Sequence, residues 1–321
     1  MRQIHARREF LQVAAVGAAT CCGLNGATAS GQQSAVGKSD SEPGLASYTP
    51  RRLDIMGAVQ IAVCQIVCVD GDQRGNLARI ELAVGEAARA GAEIACFPES
   101  VVYGWVNPDA HHRAQPIPGE DSQHLCDLAK QYKIFLCVGL DEKAGENLYD
   151  SALLIDSTGR ILLKHRKIIL LSELMTPPYS AGQEVQVVET HFARIGVLIC
   201  ADTHEPEILA RMARLRPDLV LVPYGYAAEE QAWPEHGKEL ERAVTNAAKA
   251  FDAPLIGTNL VGQITHGPWS GRTYAGHSVA ADRTGNILAL GRDFDRDVVV
   301  VSVSPKRPRS PETAHPQGAR S

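Results

Sequence analysis

The chain lacks a large excess of charge of either sign. Its formal net charge is −5, with acidic and basic residues interspersed, so there is no electrostatic footprint for nucleic acid. No glycine-rich loop runs into Lys-Ser or Lys-Thr, and nothing points to ATP use. A metal cluster is missing as well. Cys64 and Cys68 lie four residues apart, but no second ligand pair follows them, which argues against zinc. The sequence therefore predicts no metal and no organic cofactor. Nor is there a disulfide framework: most of Cys64, Cys68, Cys96, Cys126, Cys137 and Cys200 sit inside or close apolar runs, as core thiols do.

Long hydrophobic runs are absent too. The front of the chain carries Arg7-Arg8-Glu9-Phe10-Leu11, a weakly apolar stretch from Val13 to Ala19, and the small-x-small triplet Ala27-Thr28-Ala29. The apolar part is too short for a stable transmembrane helix, and the whole looks like a twin-arginine export signal over residues 1–29. It predicts a periplasmic location without stable membrane insertion. Cys21 and Cys22 raise lipid anchoring as a minor alternative, against which stands Thr20, a poor neighbour for that processing. Residues 30–50 are rich in Gly, Ser and Pro and read as a linker. Residues 51–305 form the body, and 306–321 a polar, Pro-containing tail.

The body alternates strand and helix patterns, which makes it α/β. Strands are expected at 58–67, 94–97, 134–139, 147–155, 161–167, 195–199, 219–223, 255–261 and 298–303, and a strand pair around Asp282-Arg283-Thr284-Gly285. Helices are expected at 76–90, capped by Asn76 and stopped by Gly91, then at 122–132, 206–215 and 235–251.

Three of these strands end in chemistry. Ile195 to Ile199 is an apolar run that delivers Cys200 to the carboxyl edge of a sheet, where open α/β sheets place ligands. Ile94-Ala95-Cys96-Phe97-Pro98 ends in Glu99, and the strand from Ile161 runs into Lys164-His165-Arg166-Lys167. A thiol, a carboxylate and a cation at successive strand ends are the parts of a nucleophilic site.

With these residues in hand, the chain from Met56 to Ser304 resembles the nitrilase or carbon-nitrogen hydrolase superfamily. The likeness rests on Phe-Pro before Glu99, Arg166 before Lys167, Gly-Val-Leu-Ile before Cys200, and Asp202 with Pro206-Glu207 beyond it. It implies a four-layer α-β-β-α sandwich, a Glu99-Lys167-Cys200 triad, and a homodimer or larger homo-oligomer. It also implies a supporting glutamate, for which Glu173 is the best match. Tyr103, Trp105, Asp202, His204, Asn259 and His277 are the candidates for substrate contact.

The chemistry fits the residue types. Glu99 can take the thiol proton and return it to the leaving amine, and the Lys167 ammonium can face thiolate and oxyanion. The expected substrate is a small linear carboxamide, with an N-carbamoyl amino acid or amine as the first alternative. Nitriles are the second alternative, made less fitting by Ala201-Asp202 where Trp-Glu commonly follows the cysteine. A non-catalytic binding protein on the same fold is the third.

Overall fold

A computed structural model describes residues 57–306. The expected signal, the linker, the first residues of the body and all but the first residue of the tail lie outside the described residues. Among the described residues no helix is long and apolar enough to cross a membrane.

The elements run β1 (Val59–Gln65), β2 (Val67–Cys68), α1 (Gln73–Arg89), β3 (Ile94–Cys96), α2 (Ala110–Arg113), α3 (Glu120–Tyr132), β4 (Phe135–Ala144), β5 (Asn147–Ile155) and β6 (Ile161–Arg166). Then come β7 (Val187–Glu189), β8 (Arg194–Val197), α4 (Pro206–Arg214), β9 (Leu219–Tyr224), α5 (Glu235–Phe251) and β10 (Leu255–Asn259). β11 (Val261–Gln263), β12 (Thr273–Ala275), β13 (Val279–Ala281), β14 (Ile287–Leu290) and β15 (Asp297–Val303) complete the chain. Two six-stranded sheets form, ordered β15-β1-β3-β4-β5-β6 and β14-β13-β10-β9-β8-β7. A small third sheet, β12-β11-β2, had no counterpart in the sequence pattern.

Strand periodicity assigns the layers. On β1, Ile61 and Val63 belong to the core between the two sheets, while Ala62 and Cys64 face the helices α1 and α3. Successive side chains of a strand point to opposite faces. Both faces of β1 are buried, which is why its sequence reads as one apolar run rather than as an alternation. Across the sandwich, α4 and α5 close the second sheet with Ile208, Met212, Leu240 and Val244. The result is the four-layer α-β-β-α sandwich. Met212 is fully buried, and a Cβ on Gly196 would come within 2.7 Å of its sulfur. The apolar side of α4 is thus used inside the domain.

One cap differs from expectation. α1 begins at Gln73, and Asp72 caps it by accepting from the Gly75 N–H at 3.1 Å. Asn76 is instead buried within the first turn, where its side chain donates to Val69 and Val102 carbonyls and accepts from the Val69 N–H. A buried amide satisfied on both sides serves better here as a brace than as a cap.

Candidate active site

Four strand ends converge between the sheets. β3 runs through Phe97-Pro98 to Glu99, β6 through Arg166 to Lys167, β8 through Leu198-Ile199 to Cys200, and β9 ends at Tyr224, just before Gly225. All three of these side chains are sealed from solvent, at 0%, 2% and 1% exposure for Glu99, Lys167 and Cys200. The Lys167 ammonium donates a short hydrogen bond to Glu99 Oε1 and lies 4.9 Å from the centre of the Trp105 ring.

Why Lys167 points inward follows from the strand itself. In Lys164-His165-Arg166-Lys167 the side chains alternate. Lys164 and Arg166 turn to Glu142, with Arg166 bidentate at 2.8 and 2.7 Å. His165 and Lys167 turn to the other side, to Asp202 and Glu99. The basic cluster is thereby split, and a single cation reaches the thiol.

Cys200 sits at φ +39° and Ser100, next to Glu99, at φ +42°. Left-handed backbone at non-glycine residues is costly and persists where surrounding structure enforces it. Here the enforcement is visible. Thr203 Oγ1 donates to the Cys200 carbonyl at 2.7 Å and bonds the Tyr224 hydroxyl at 2.8 Å. Asp202 accepts from the N–H groups of Ile168, Ile169 and Ile199 at 3.0, 2.9 and 3.2 Å, and its Oδ2 lies 2.8 Å from His165 Nε2. One carboxylate therefore ties the turn at Cys200 to the loop that carries Lys167.

Electrostatics divides the roles. Burial pushes the Cys200 thiol well above the ordinary range and the Glu99 charge adds to this, while Lys167 and the Gly225 N–H pull it down. In the resting site the thiol thus keeps its proton until a base removes it. Burial works against the charge on Lys167, but the Glu99 carboxylate, which also takes its hydrogen bond, outweighs it and holds the side chain as an ammonium. A carboxylate next to a shielded thiol and a fixed cation can carry out acyl transfer. Among the described residues no group of three His, Cys, Asp or Glu side chains is placed to hold a metal ion.

Residues 60–310 match the family described as carbon-nitrogen hydrolase. The chain belongs to the carbon-nitrogen hydrolase family. Among its relatives, an N-carbamoylputrescine amidase of Solanum lycopersicum is 30% identical over 75% of this chain and 85% of its own length. A bifunctional nitrilase/nitrile hydratase of Nicotiana tabacum is 28% identical over 48% of this chain, and the chain spans about half the length of that relative. The solved structure of an amidase from Nesterenkonia sp. superposes with a TM-score of 0.66 at 24% identity, covering 78% of this chain and 92% of that one. That likeness establishes the fold of this carbon-nitrogen hydrolase.

The structure brings together Glu99, Lys167, Cys200 and Trp105, but it places the other sequence candidates differently. Glu173 stands exposed on a single 3₁₀ turn, Ser172–Leu174, on the rim, so it is not the carboxylate packed behind Lys167. Tyr103 is buried, but its hydroxyl donates toward Asp121 and the Arg113 carbonyl, away from the thiol. Asp202 has no acceptor capacity to offer a substrate, because backbone amides and His165 use it. Asn259 is committed to Tyr226 and Gly276 backbone groups, which fasten the loop after β9. His277 is clamped between Asp293 at 2.6 Å and Glu241 at 2.8 Å. His204 stacks parallel to Tyr226 at 6.0 Å, and burial pulls its pKa down to about 4, which leaves it neutral and a poor base.

Two contributors were missed in the sequence. One is Asp150 on β5, whose Oδ2 lies 3.4 Å from Lys167 Nζ. The other is Gly225, where a Cβ would stand 2.9 Å from Glu99 Oε2 and 3.5 Å from Trp105. A glycine directly after a buried strand was the available signal for such a close approach.

Gly139 of β4 yields a direct test of how tightly Glu99 is seated. A Cβ there would meet Glu99 Cα at 2.6 Å, the Pro98 carbonyl at 2.6 Å and the Ser100 N–H at 2.8 Å. All three are backbone atoms that cannot swing aside. Gly139→Ala is expected to destabilise the fold by about 1–3 kcal/mol, as overpacking does, and to lower kcat through displacement of Glu99. Thermal unfolding and steady-state kinetics check this, and wild-type values in both would refute the tight seating.

Proposed function

We propose that this carbon-nitrogen hydrolase is a thiol amidohydrolase that cleaves a small linear carboxamide to a carboxylate and ammonia. The observation that supports it most is the sealed constellation in which Glu99 and Lys167 form one buried pair beside Cys200. Glu99 accepts the thiol proton as sulfur bonds to the amide carbon. The carbonyl electrons move onto oxygen, which the Lys167 ammonium and the N–H following Cys200 stabilise. Collapse of that oxyanion breaks the C–N bond while the proton passes from Glu99 to nitrogen, releasing ammonia and leaving a thioester. Water then attacks the thioester, giving its proton to Glu99, and the acid leaves as the thiol is restored.

A neutral substrate fits the wall. Arg166 is spent on Glu142 and lies over the Tyr149 ring, Glu229 pairs with Arg272, and Asp109 and Glu230 are exposed. A cysteine-to-alanine mutant of the amidase from Nesterenkonia sp. has been solved in complex with butyramide, which supports a small aliphatic amide. The second reading, an N-carbamoyl compound, is favoured by the tomato relative and its coverage of most of the chain. Nitriles come third, since Ala201-Asp202 follows the nucleophile.

A coupled ammonia assay over linear amides, N-carbamoyl amino acids, N-carbamoyl amines and nitriles separates these readings. Highest kcat/KM on a small amide is expected. Turnover of nitriles with none on any amide or carbamoyl compound would overturn the assignment.

A further inference from the structure

The active site holds one more carboxylate than its cation can balance. Lys167 Nζ faces Glu99 through a hydrogen bond and Asp150 Oδ2 at 3.4 Å, and the side chains of both acids are completely buried. Across the β4–β5 pair, Asp141 sits directly opposite Asp150 and takes a 2.7 Å hydrogen bond from the Tyr179 hydroxyl. Each element around Asp150 thus contributes a titratable group: Glu99 after β3, Asp141 on β4, Lys167 after β6, Tyr179 in the rim loop and Cys200 after β8. Lys167 is the sole cation among them, because Lys164 and Arg166 are turned to Glu142 on the other side of the strand. Two ionised acids on one ammonium would leave a bare negative charge in a buried space beside a thiol that must become an anion. Such a charge is too costly to keep, and a proton is retained instead.

The contacts show where that proton resides. Glu99 takes the hydrogen bond from Lys167 Nζ. Asp150 stands farther from the same ammonium, with Oδ2 at 3.4 Å, and its Oδ1 takes a 3.2 Å bond from the Ser100 hydroxyl. We propose that Asp150 is a positioning residue that works as the neutral acid, committing Lys167 to Glu99 and keeping the triad free of surplus negative charge as the thiolate forms. The inference rests on the triad reading of Glu99, Lys167 and Cys200. The proton stays on Asp150 through the cycle, while the thiol proton shuttles through Glu99. Burial and then the Glu99 charge push the Asp150 carboxyl well above the usual carboxylate range, against the opposing pull of Lys167.

The sign of the pH effects follows. Below its folded pKa Asp150 is neutral and the site is poised. As pH rises through that value, a second anion competes for Nζ and holds the Cys200 proton in place, so reactivity falls on the alkaline side. Stability moves the same way. A raised folded pKa gives stability that is fully present below the unfolded value, about 4 for an aspartate, and is lost as pH rises through the folded value.

Asp150→Asn keeps the shape and cannot ionise. The test measures the rate of Cys200 alkylation by iodoacetamide against pH, read by intact mass, on wild type and Asp150→Asn. This readout is independent of which acyl compound is the natural substrate. The ratio of the variant's rate to the wild-type rate is expected to grow at least about threefold from the acid to the alkaline end of the profile, and the variant's unfolding midpoint at neutral pH to exceed that of wild type. An unchanged alkylation ratio would overturn the proposal. So would a folded variant that resists alkylation and turnover at every pH, since that would show Asp150 to be needed as an anion. Failure of the amide panel with this pH signature intact would count against the substrate alone.

Discussion

Replacing Cys200 with alanine is expected to abolish ammonia release, by about four orders of magnitude or more, while leaving a folded protein. The size follows from the mechanism: without sulfur there is no thioester, and Glu99 and Lys167 are left to activate water at a site shaped for a covalent step. The structural cost is small. Cys200 packs as a small apolar residue within the inter-sheet core, and alanine removes one sulfur atom without adding bulk. Circular dichroism and thermal unfolding should be close to wild type, and acid-quenched wild-type enzyme in mid-turnover should carry the acyl mass on the peptide that contains Cys200. Retention of a few per cent of the wild-type rate by Cys200→Ala would end the thioester mechanism.

The second large effect is expected at Asp202, a residue that touches no reacting atom. Asp202→Ala removes the acceptor for three N–H groups, the buried Ile199 and the half-buried Ile168 and Ile169, and the partner of His165. Buried donors left without acceptors cost about 1–3 kcal/mol each, partly relieved by relaxation, so a total loss of about 3–5 kcal/mol is expected. Activity should fall further than stability accounts for, because the Ile168 and Ile169 amides follow Lys167 and fix its approach to Glu99. Asp202→Asn keeps the Oδ1 contacts but presents an NH₂ to the Ile199 N–H or to His165, and an intermediate loss is expected. Chemical denaturation together with kcat on the folded fraction checks the series. Equal stability of wild type and Asp202→Ala would show that the clamp contributes nothing.

These two residues show what the sequence can and cannot reveal. Cys200 and Glu99 were legible because a buried strand announces itself as an apolar run, and the residue at its carboxyl end is placed by the chain's own geometry. Lys167 was legible from the same logic and from its neighbour Arg166. Asp202 was seen, but its partners Ile168 and Ile169 come from a distant strand end, and only the folded register shows the carboxylate turned toward backbone amides. Asp150 was hidden for a related reason. It lies within Asn147–Ile155, where the apolar pattern signals a core strand and a single acid looks like its polar face. The β4–β5 and β5–β6 pairings bring it against Asp141 and Lys167. Glu173 is the converse: its place in the sequence suited a supporting glutamate, and a short rim turn carries it into solvent. Asn259 closes β10 and His277 lies between β12 and β13, yet side-chain direction at a strand end or in a loop is set by local hydrogen bonds that spacing does not encode.

The outer pairing of the first sheet bears on how the chain is made. β1 meets β15 in an antiparallel register that joins Val59 to Val303 and Gln65 to Asp297, so its partners lie almost a whole domain away in sequence. The Gln65 side chain also waits for the carbonyls of Arg292 and Asp295, both at 2.6 Å. A strand translated near the beginning can be completed only after the last strand has left the ribosome. Until then one edge of β1 carries unpaired amides beside apolar side chains, the combination that invites pairing with another chain. Contacts this distant slow the search for the native topology. Biogenesis of this hydrolase therefore depends on keeping the early half of the sandwich apart from its neighbours until residues 297–303 arrive to close it.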